Sequence, residues 1–556
     1  MTVKRLVAPV MAAGLVAAGI VAQNPLSVPD RTPIRPLIPE QDRHQKGKLF
    51  LERADSLMVT PEEPDVQILV GDVMFRQGDM FMYCDSARFY TSPTLPADSM
   101  EAFGNIRMEQ GDTLFLYGDY MDYSGTERLA TVYGEGRDVR LINRDVTLTA
   151  PILHYSQLME LGYYLNGGTL TDPKNTLTSL EGEYAPPTKD ANFYRHVVLD
   201  GRSNQGDTIR IYTDTLLYNT DSRIALLPVF ARIYGKDGDI TSLNGIYDTG
   251  LDLATLLDRS TVHTNRGNTL TGDSLVYDRA AGRGEAFGKV ILTDSARQMA
   301  LYGDYCFYNE VTDSAYCTGH AKALEYSQPD TLYLHGDVIR TWQTPDSVRL
   351  MVANPNVRFW RIDIQGVCDS MTFVDTDTTV RMDYDPVIWN ENRQIFGNRI
   401  IIYMNDSTVD KAWLPDFGFM AEQIEGNYFD QLSGKEMIAY FDSVGDLRQL
   451  DVNGSVQAIM LPQEEDSTYN KIANIESSFM TATFKGRDIE RMKLWDATSG
   501  TVTPLYLARK SLFRLPKFKW FEEERPTGPD DIFPRKESST SIGGENGEKG
   551  EGEERR

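Results

Sequence analysis

Glu101-Ala-Phe-Gly-Asn-Ile-Arg-Met108 leads to Leu116-Tyr-Gly-Asp-Tyr120 and Tyr123, and the chain says nearly the same thing again much later. There, Glu285-Ala-Phe-Gly-Lys-Val-Ile-Leu292 leads to Leu301-Tyr-Gly-Asp-Tyr305 and Tyr308. Self-similarity of this kind decides an architecture before any single residue does. Working outward from the two copies, an aromatic or apolar mark recurs at Phe89, Tyr123, Tyr155, Tyr184, Tyr218, Tyr247, Tyr277, Tyr308, Thr341, Phe373 and Ile402, in steps of 29 to 34 residues. Most marks follow an aspartate by four positions: Asp85, Asp119, Asp214, Asp273, Asp304, Asp337 and Asp369.

Inside each repeat the apolar residues alternate, as in Ile106-Arg-Met108, Val139-Arg-Leu141, Val146-Thr-Leu148-Thr-Ala150 and Ile209-Arg-Ile211. A period of two means a strand with one buried face. Gly-Asp turns separate the strands, including Gln-Gly-Asp at 77–79, 110–112 and 205–207, so each repeat reads as about three short strands. A repeat this small cannot bury its own apolar face; neighbours must stack. The expected fold is all-β, an elongated β-jellyroll or rolled β-solenoid of stacked repeats. The recurrent aspartates are expected to cap turns at the corners of the roll rather than to bind metal.

Lys4 and Arg5 precede an apolar run from Leu6 to Ala22 that ends in small residues, the layout of a signal peptide over 1–22. A single-pass anchor is the rival reading, at the short end of the spanning range. Residues 23–64 carry several prolines and read as a linker, 65–405 as the repeats, and 406–498 as a further β extension. Residues 499–556 read as a Pro- and aromatic-rich segment followed, from Glu522 onward, by a disordered acidic tail.

Composition bounds the function. Against 56 basic residues stand 81 acidic ones, a formal charge of −25, opposite to what binding a phosphate backbone demands, so no nucleic-acid partner is expected. The six histidines are dispersed at no ligand or triad spacing, and no phosphate-loop, Gly-x-Ser-x-Gly or His-Glu-x-x-His motif occurs. No cofactor, metal or enzymatic activity is expected. Export implies an oxidising compartment. Cys306 and Cys317 flank an expected turn at 310–313 and are candidates for a cross-strand disulfide, with two half-buried thiols as the alternative.

The ordered series Gly71-Asp-Val-Met-Phe75, Tyr83-Cys-Asp-Ser86, Ala102-Phe-Gly-Asn-Ile106, Gln110-Gly-Asp-Thr113 and Leu116-Tyr-Gly-Asp119 resembles the OstA-like family. That family comprises periplasmic proteins of lipopolysaccharide transport and the amino-terminal domain of the outer-membrane translocon. The similarity runs over about residues 65–342 and continues more weakly to about 533. It implies a β-jellyroll of stacked V-shaped turns whose apolar interior carries lipid acyl chains and whose protomers join edge to edge across the periplasm. This chain departs from the minimal bridge proteins in length, acidity and its carboxy-terminal extension.

On that resemblance the lipid-facing candidates are the inward members of the alternating strands: Val73, Phe75, Ile106, Met108, Leu114, Leu116, Val139, Leu141, Val146 and Leu148. The bland alternative is that they form a closed core. The expected partners are lipopolysaccharide or a similar glycolipid, and other bridge jellyrolls or the translocon through edge-strand pairing. The expected location is the periplasm, either free or peripheral to the outer membrane. The protein's acidity would hold anionic head groups out in solvent. Two other classes compete: a surface or structural β-solenoid that carries no lipid, and a polysaccharide-acting enzyme, for which no singular carboxylate pair stands out.

Overall fold

The computed structural model describes residues 49–91, 98–202, 206–236, 238–405, 409–443, 445–464, 468–486 and 488–534. The expected signal peptide, most of the expected linker and the tail beyond 534 lie outside the described residues. Those described form 44 strands and three single-turn 3-10 segments, and the chain is all-β. It divides into two compact units: Met1–Ala296 with Tyr305–Asp313, and Arg297–Asp304 with Ser314–Arg556. The division falls near residue 300, within the stretch 65–405 read as repeats.

In the first unit, long strands such as Glu63–Gln77, Ser99–Gln110, Asp190–Arg202 and Leu253–Thr264 pair antiparallel and run through a bend. At the bend the register slips, between Val70 and Val73, Phe103 and Ile106, Tyr194 and Val197, and Leu257 and Ser260. Two consecutive residues there take left-handed conformations: Gly71-Asp72, Gly104-Asn105, Arg195-His196, Asp258-Arg259 and Gly288-Lys289. Such a bulge turns the strand sharply and makes two arms of one sheet. Elsewhere the strand breaks at the corner, as between Val146–Ala150 and Ile152–Ser156.

The corners explain the recurrent aspartates. At Gly104, with φ +73°, an added Cβ would lie 2.3 Å from Asp85 Oδ2 on the adjoining strand. Glycine is required there by both conformation and space. The Asp85 carboxylate accepts from Asn105 Nδ2 at 2.8 Å. Asp119 likewise accepts from the Glu135 backbone N–H at 2.8 Å and from Arg137 Nε at 3.0 Å, and Asp273 from Arg259 Nη1 at 3.1 Å. These carboxylates tie the corners together, through a backbone N–H at Glu135 and through side-chain donors at Asn105, Arg137 and Arg259.

The second unit has the same two-armed plan with shorter strands. One arm includes Val357–Trp360, Gln365–Cys368, Val387–Asn390, Arg393–Gly397, Gly418–Glu425 and Tyr428–Gly434. The other includes Val338–Gln343, Arg349–Asn354, Ser370–Val374, Thr379–Asp383, Arg399–Met404, Val409–Leu414 and Glu436–Phe441. Asp304 faces His320 Nδ1 at 2.7 Å and Asp337 accepts from Asn356 Nδ2 at 2.7 Å, repeating the corner cap.

Two boundaries differ from expectation. Strands begin inside the expected linker, at Phe50–Arg53 and Ser56–Thr60. These first strands are largely exposed on both faces, so they carry no burial alternation to read. At the other end, residues 505–533 are ordered against the second unit although Glu522 onward reads as disordered. Gln431 receives the Leu515 N–H at 2.9 Å and donates to Phe513 O at 2.8 Å; Gln394 receives the Phe521 N–H at 2.7 Å and donates to Lys519 O at 2.9 Å. Leu515, Phe518, Trp520 and Phe521 pack on the buried cluster Val367, Val387, Trp389, Phe396, Phe419 and Ala421.

Candidate functional site

All ten predicted lipid-facing residues lie in the first unit's interior, and none is more than 8% exposed. The interior is filled around them. Met80, Met108, Leu114, Leu116, Leu141 and Tyr155 enclose a void of only about 10 Å³, whereas ligand pockets run to roughly 300–1,000 Å³. A Cβ on Gly162 would sit 2.4 Å from Leu141 Cδ2. In this conformation the ten residues make a packed core.

What closes that interior is the sequence mark itself. The register brings Phe89, Met100, Tyr123, Ala130, Tyr155, Gly162, Tyr184, Ala191, Tyr218, Ala225, Tyr247, Ala254, Tyr277 and Gly284 into a single stripe of cross-strand partners. Beyond its first pair, tyrosines alternate with alanine or glycine, which leaves each ring room between strands about 4.8 Å apart. The tyrosine hydroxyls reach the other arm. Tyr123 donates to Gln77 Oε1 and, at 2.7 Å, Tyr155 donates to Gln110 Oε1. Asn143 Nδ2 donates to the Tyr184 hydroxyl at 3.0 Å, and Asn175 Nδ2 to that of Tyr218 at 2.8 Å, while Tyr218 donates to Asp172 Oδ2 at 2.5 Å. The four amides recur at 32 or 33 residues. They form a ladder of buried hydrogen bonds across the mouth of the roll. Farther along, Tyr247 and Tyr277 turn to Asp252 and Glu310 of their own arm.

Burial is the first cause that pushes the hydroxyls of Tyr123, Tyr155, Tyr184 and Tyr218 above the ordinary tyrosine range. Their folded values exceed the unfolded one, so the stability they contribute is complete below about pH 10 and is lost as pH rises past it. The denaturant midpoint of the protein should therefore be insensitive to these groups near neutrality and fall steeply above that pH, in step with tyrosinate absorbance. Tyr218→Phe leaves Asp172 and Asn175 without their shared hydroxyl and is expected to destabilise by about 1–3 kcal/mol in chemical denaturation.

The second unit presents the corresponding stripe differently. Thr341, Met351, Phe373, Val380, Ile402, Ala412 and Ala439 are successive cross-strand partners, and all seven are half-buried. Nearer the corner, on the same face, Ala353, Met371, Met382, Ile400, Leu414 and Met437 are buried. On the opposite arm, Ile388, Ile395 and Met420 are register partners, of which Ile395 and Met420 are half-buried. No tyrosine stands at Thr341, Phe373 or Ile402 to close the mouth. This half-exposed apolar lining was missed by the choice of inward residues; its signal in the sequence is the loss of tyrosine from the mark.

A second concavity of about 1240 Å³ lies on the outer face of the first unit, against Arg210, Tyr212, Phe230, Arg232, Tyr234 and Lys236. Its cations are engaged locally: Arg210 with Asp200, Lys236 with Asp207 at 3.5 Å, and Arg232 with the Tyr234 hydroxyl at 3.1 Å. Cys306 and Cys317 are disulfide-bonded. Cys84 and Cys368 are free and buried, and desolvation pushes both thiols up to about 12, away from thiolate chemistry. Among the described residues, no group of three or more His, Cys, Asp or Glu side chains is placed to hold a metal ion, and no helix is long and apolar enough to cross a membrane.

The bent strands, glycine corners and alternating interior of the first unit coincide with a family match. The model of the OstA-like protein family matches residues 46–203. This segment is OstA-like. It spans the four-rung ladder except for Tyr218, together with all ten predicted lining residues, and over it the chain is similar to a family related in general to lipopolysaccharide transport, a transport and binding family. No curated protein matches the chain.

Proposed function

We propose that the protein is an exported component of lipopolysaccharide transport that works in the periplasm, holds acyl chains against the apolar interior of its roll, and meets its partners through terminal edge strands. The observation that carries this reading is the OstA-like match over residues 46–203, joined to inner faces that are apolar along both arms. Each methylene exposed to water costs about 0.8 kcal/mol, so a carrier must keep a chain covered throughout its passage. Aliphatic and aromatic walls give contacts without direction, along which such a chain can slide. The edges suit strand addition: Leu57, Met58 and Val59 are each at least 50% exposed on a strand that, among the described residues, pairs with Glu63–Gln77 alone, and at the other end Val502 is 64% exposed.

The packed first interior favours a second reading, a structural or surface solenoid without lipid. One experiment separates the two. Titrating the purified full-length protein with a fluorescent polyene fatty acid should give saturable enhancement that unlabelled lipopolysaccharide reverses. A titration indistinguishable from buffer would leave the structural reading in possession.

A further inference from the structure

We propose that the second unit receives the alkyl chain, and that the tyrosine–amide ladder keeps the first unit shut. The inference rests on the lipid-binding reading above and says where and under what control that binding occurs. In the first unit, each tyrosine hydroxyl of the ladder is buried and finds its partner on the other arm. The rungs exist only while the arms are closed, because separating them leaves amides and hydroxyls unpaired on walls that are otherwise apolar. Tyr123, Tyr155, Tyr184 and Tyr218 are 1–2% exposed, and the void beside Tyr155 is only about 10 Å³.

The second unit keeps the stripe and drops the hydroxyls. Phe373, Val380 and Ile402 are consecutive partners on one arm, Ile395 and Met420 on the other, and all five remain half-buried. A linear hydrocarbon is the ligand that such walls suit: apolar, unbranched and without a polar group needing a fixed partner. Met351 and Met420 add flexible thioethers that adapt to a chain of irregular path. At the outer end of the Ile395–Met420 row, Arg393 pairs with Glu422 at 2.8 Å, so a charged pair borders the apolar stretch where a polar head would emerge.

The test uses the full-length protein carrying the photo-reactive residue benzoylphenylalanine at Phe373, Ile402, Leu116 or Leu148, irradiated with an alkynyl long-chain fatty acid and, separately, with lipopolysaccharide. Capture from Phe373 and Ile402 is expected to exceed that from Leu116 and Leu148 by roughly tenfold or more. Equal or greater capture from the first-unit positions would overturn the assignment of the site while leaving lipid binding intact; no capture from any position would sink the lipid reading itself. Two variants test the control. Tyr155→Phe with Tyr184→Phe should raise capture at Leu148, and unchanged capture in the folded double variant contradicts the role of the ladder. Ile402→Asp, at a half-exposed position that tolerates a solvated carboxylate, should abolish capture at Phe373; undiminished capture contradicts the site.

Discussion

Replacing Gly104 by valine is expected to destabilise the first unit by about 3 kcal/mol or more, the sum of left-handed backbone strain for a β-branched residue and displacement of a capping carboxylate. The new Cβ would lie 2.3 Å from Asp85 Oδ2 at a φ of +73°. It would push aside the group that holds Asn105 at 2.8 Å. A matched control isolates the corner from the glycine: Gly111 also has a positive φ, +63°, but nothing within 4 Å of its added Cβ. Gly111→Ala should therefore cost only about 1 kcal/mol, the conformational part alone. Chemical denaturation of the two variants checks this, and equal losses would mean that the corner carboxylates do not organise the bend.

Ending the chain after Pro504 is expected to have a comparable or larger effect on the second unit. The removed segment covers Trp389, Phe396 and Phe419 and supplies the backbone partners of Gln394 and Gln431, which are 0% and 2% exposed. Stripping it away uncovers an aromatic surface and removes two hydrogen bonds from each amide, worth about 1 kcal/mol apiece, while Gln394 keeps the Trp389 Nε1–H and Gln431 keeps Phe429 O. The expected result is a second unit that unfolds several degrees earlier in calorimetry and aggregates on standing. A truncated protein with an unchanged transition would show the segment to be ornamental.

The architecture was legible because its cause is local. Alternation at Val139-Arg-Leu141 or Val146-Thr-Leu148 reports a one-sided strand wherever it occurs, and the mark reports where the next repeat begins. The aspartates could be read as turn formers for the same reason. What could not be read is pairing between distant residues. Tyr184 finds Asn143 at a separation of 41 residues and Tyr123 finds Gln77 at 46. Gln77 and Gln110 look in the sequence like mere neighbours of a Gly-Asp turn, and only the closing of the two arms gives them a partner. For the same reason, Leu116 and Leu148 are correctly inward, yet inwardness does not distinguish a sealed core from a lined passage.

The two boundary differences trace to how the strand faces are covered. Val387, Ile388 and Trp389 are buried in succession, a run that breaks alternation because the chain's own residues 515–521 cover the face away from the arms' interior. Continuous apolar runs of this type signal a strand covered on both faces, and that signal was available at Val387. Conversely, Ser56–Thr60 is exposed on nearly every residue, so it shows no alternation to read although Val59 and Thr60 are strand formers.

Limited peroxide oxidation followed by peptide mass spectrometry offers the most direct measurement, since methionine sulfoxide formation follows access to the thioether. Met82, Met108 and Met121 of the first interior are 0–3% exposed, Met351 and Met420 of the second are half-buried, and Met58 and Met159, at 53% and 44%, calibrate free access. Met351 and Met420 should oxidise well before the first three, and saturating lipid should protect those two alone. Uniform protection of all five, or oxidation of Met108 and Met121 at the rate of Met351, would contradict an interior closed in one unit and accessible in the other.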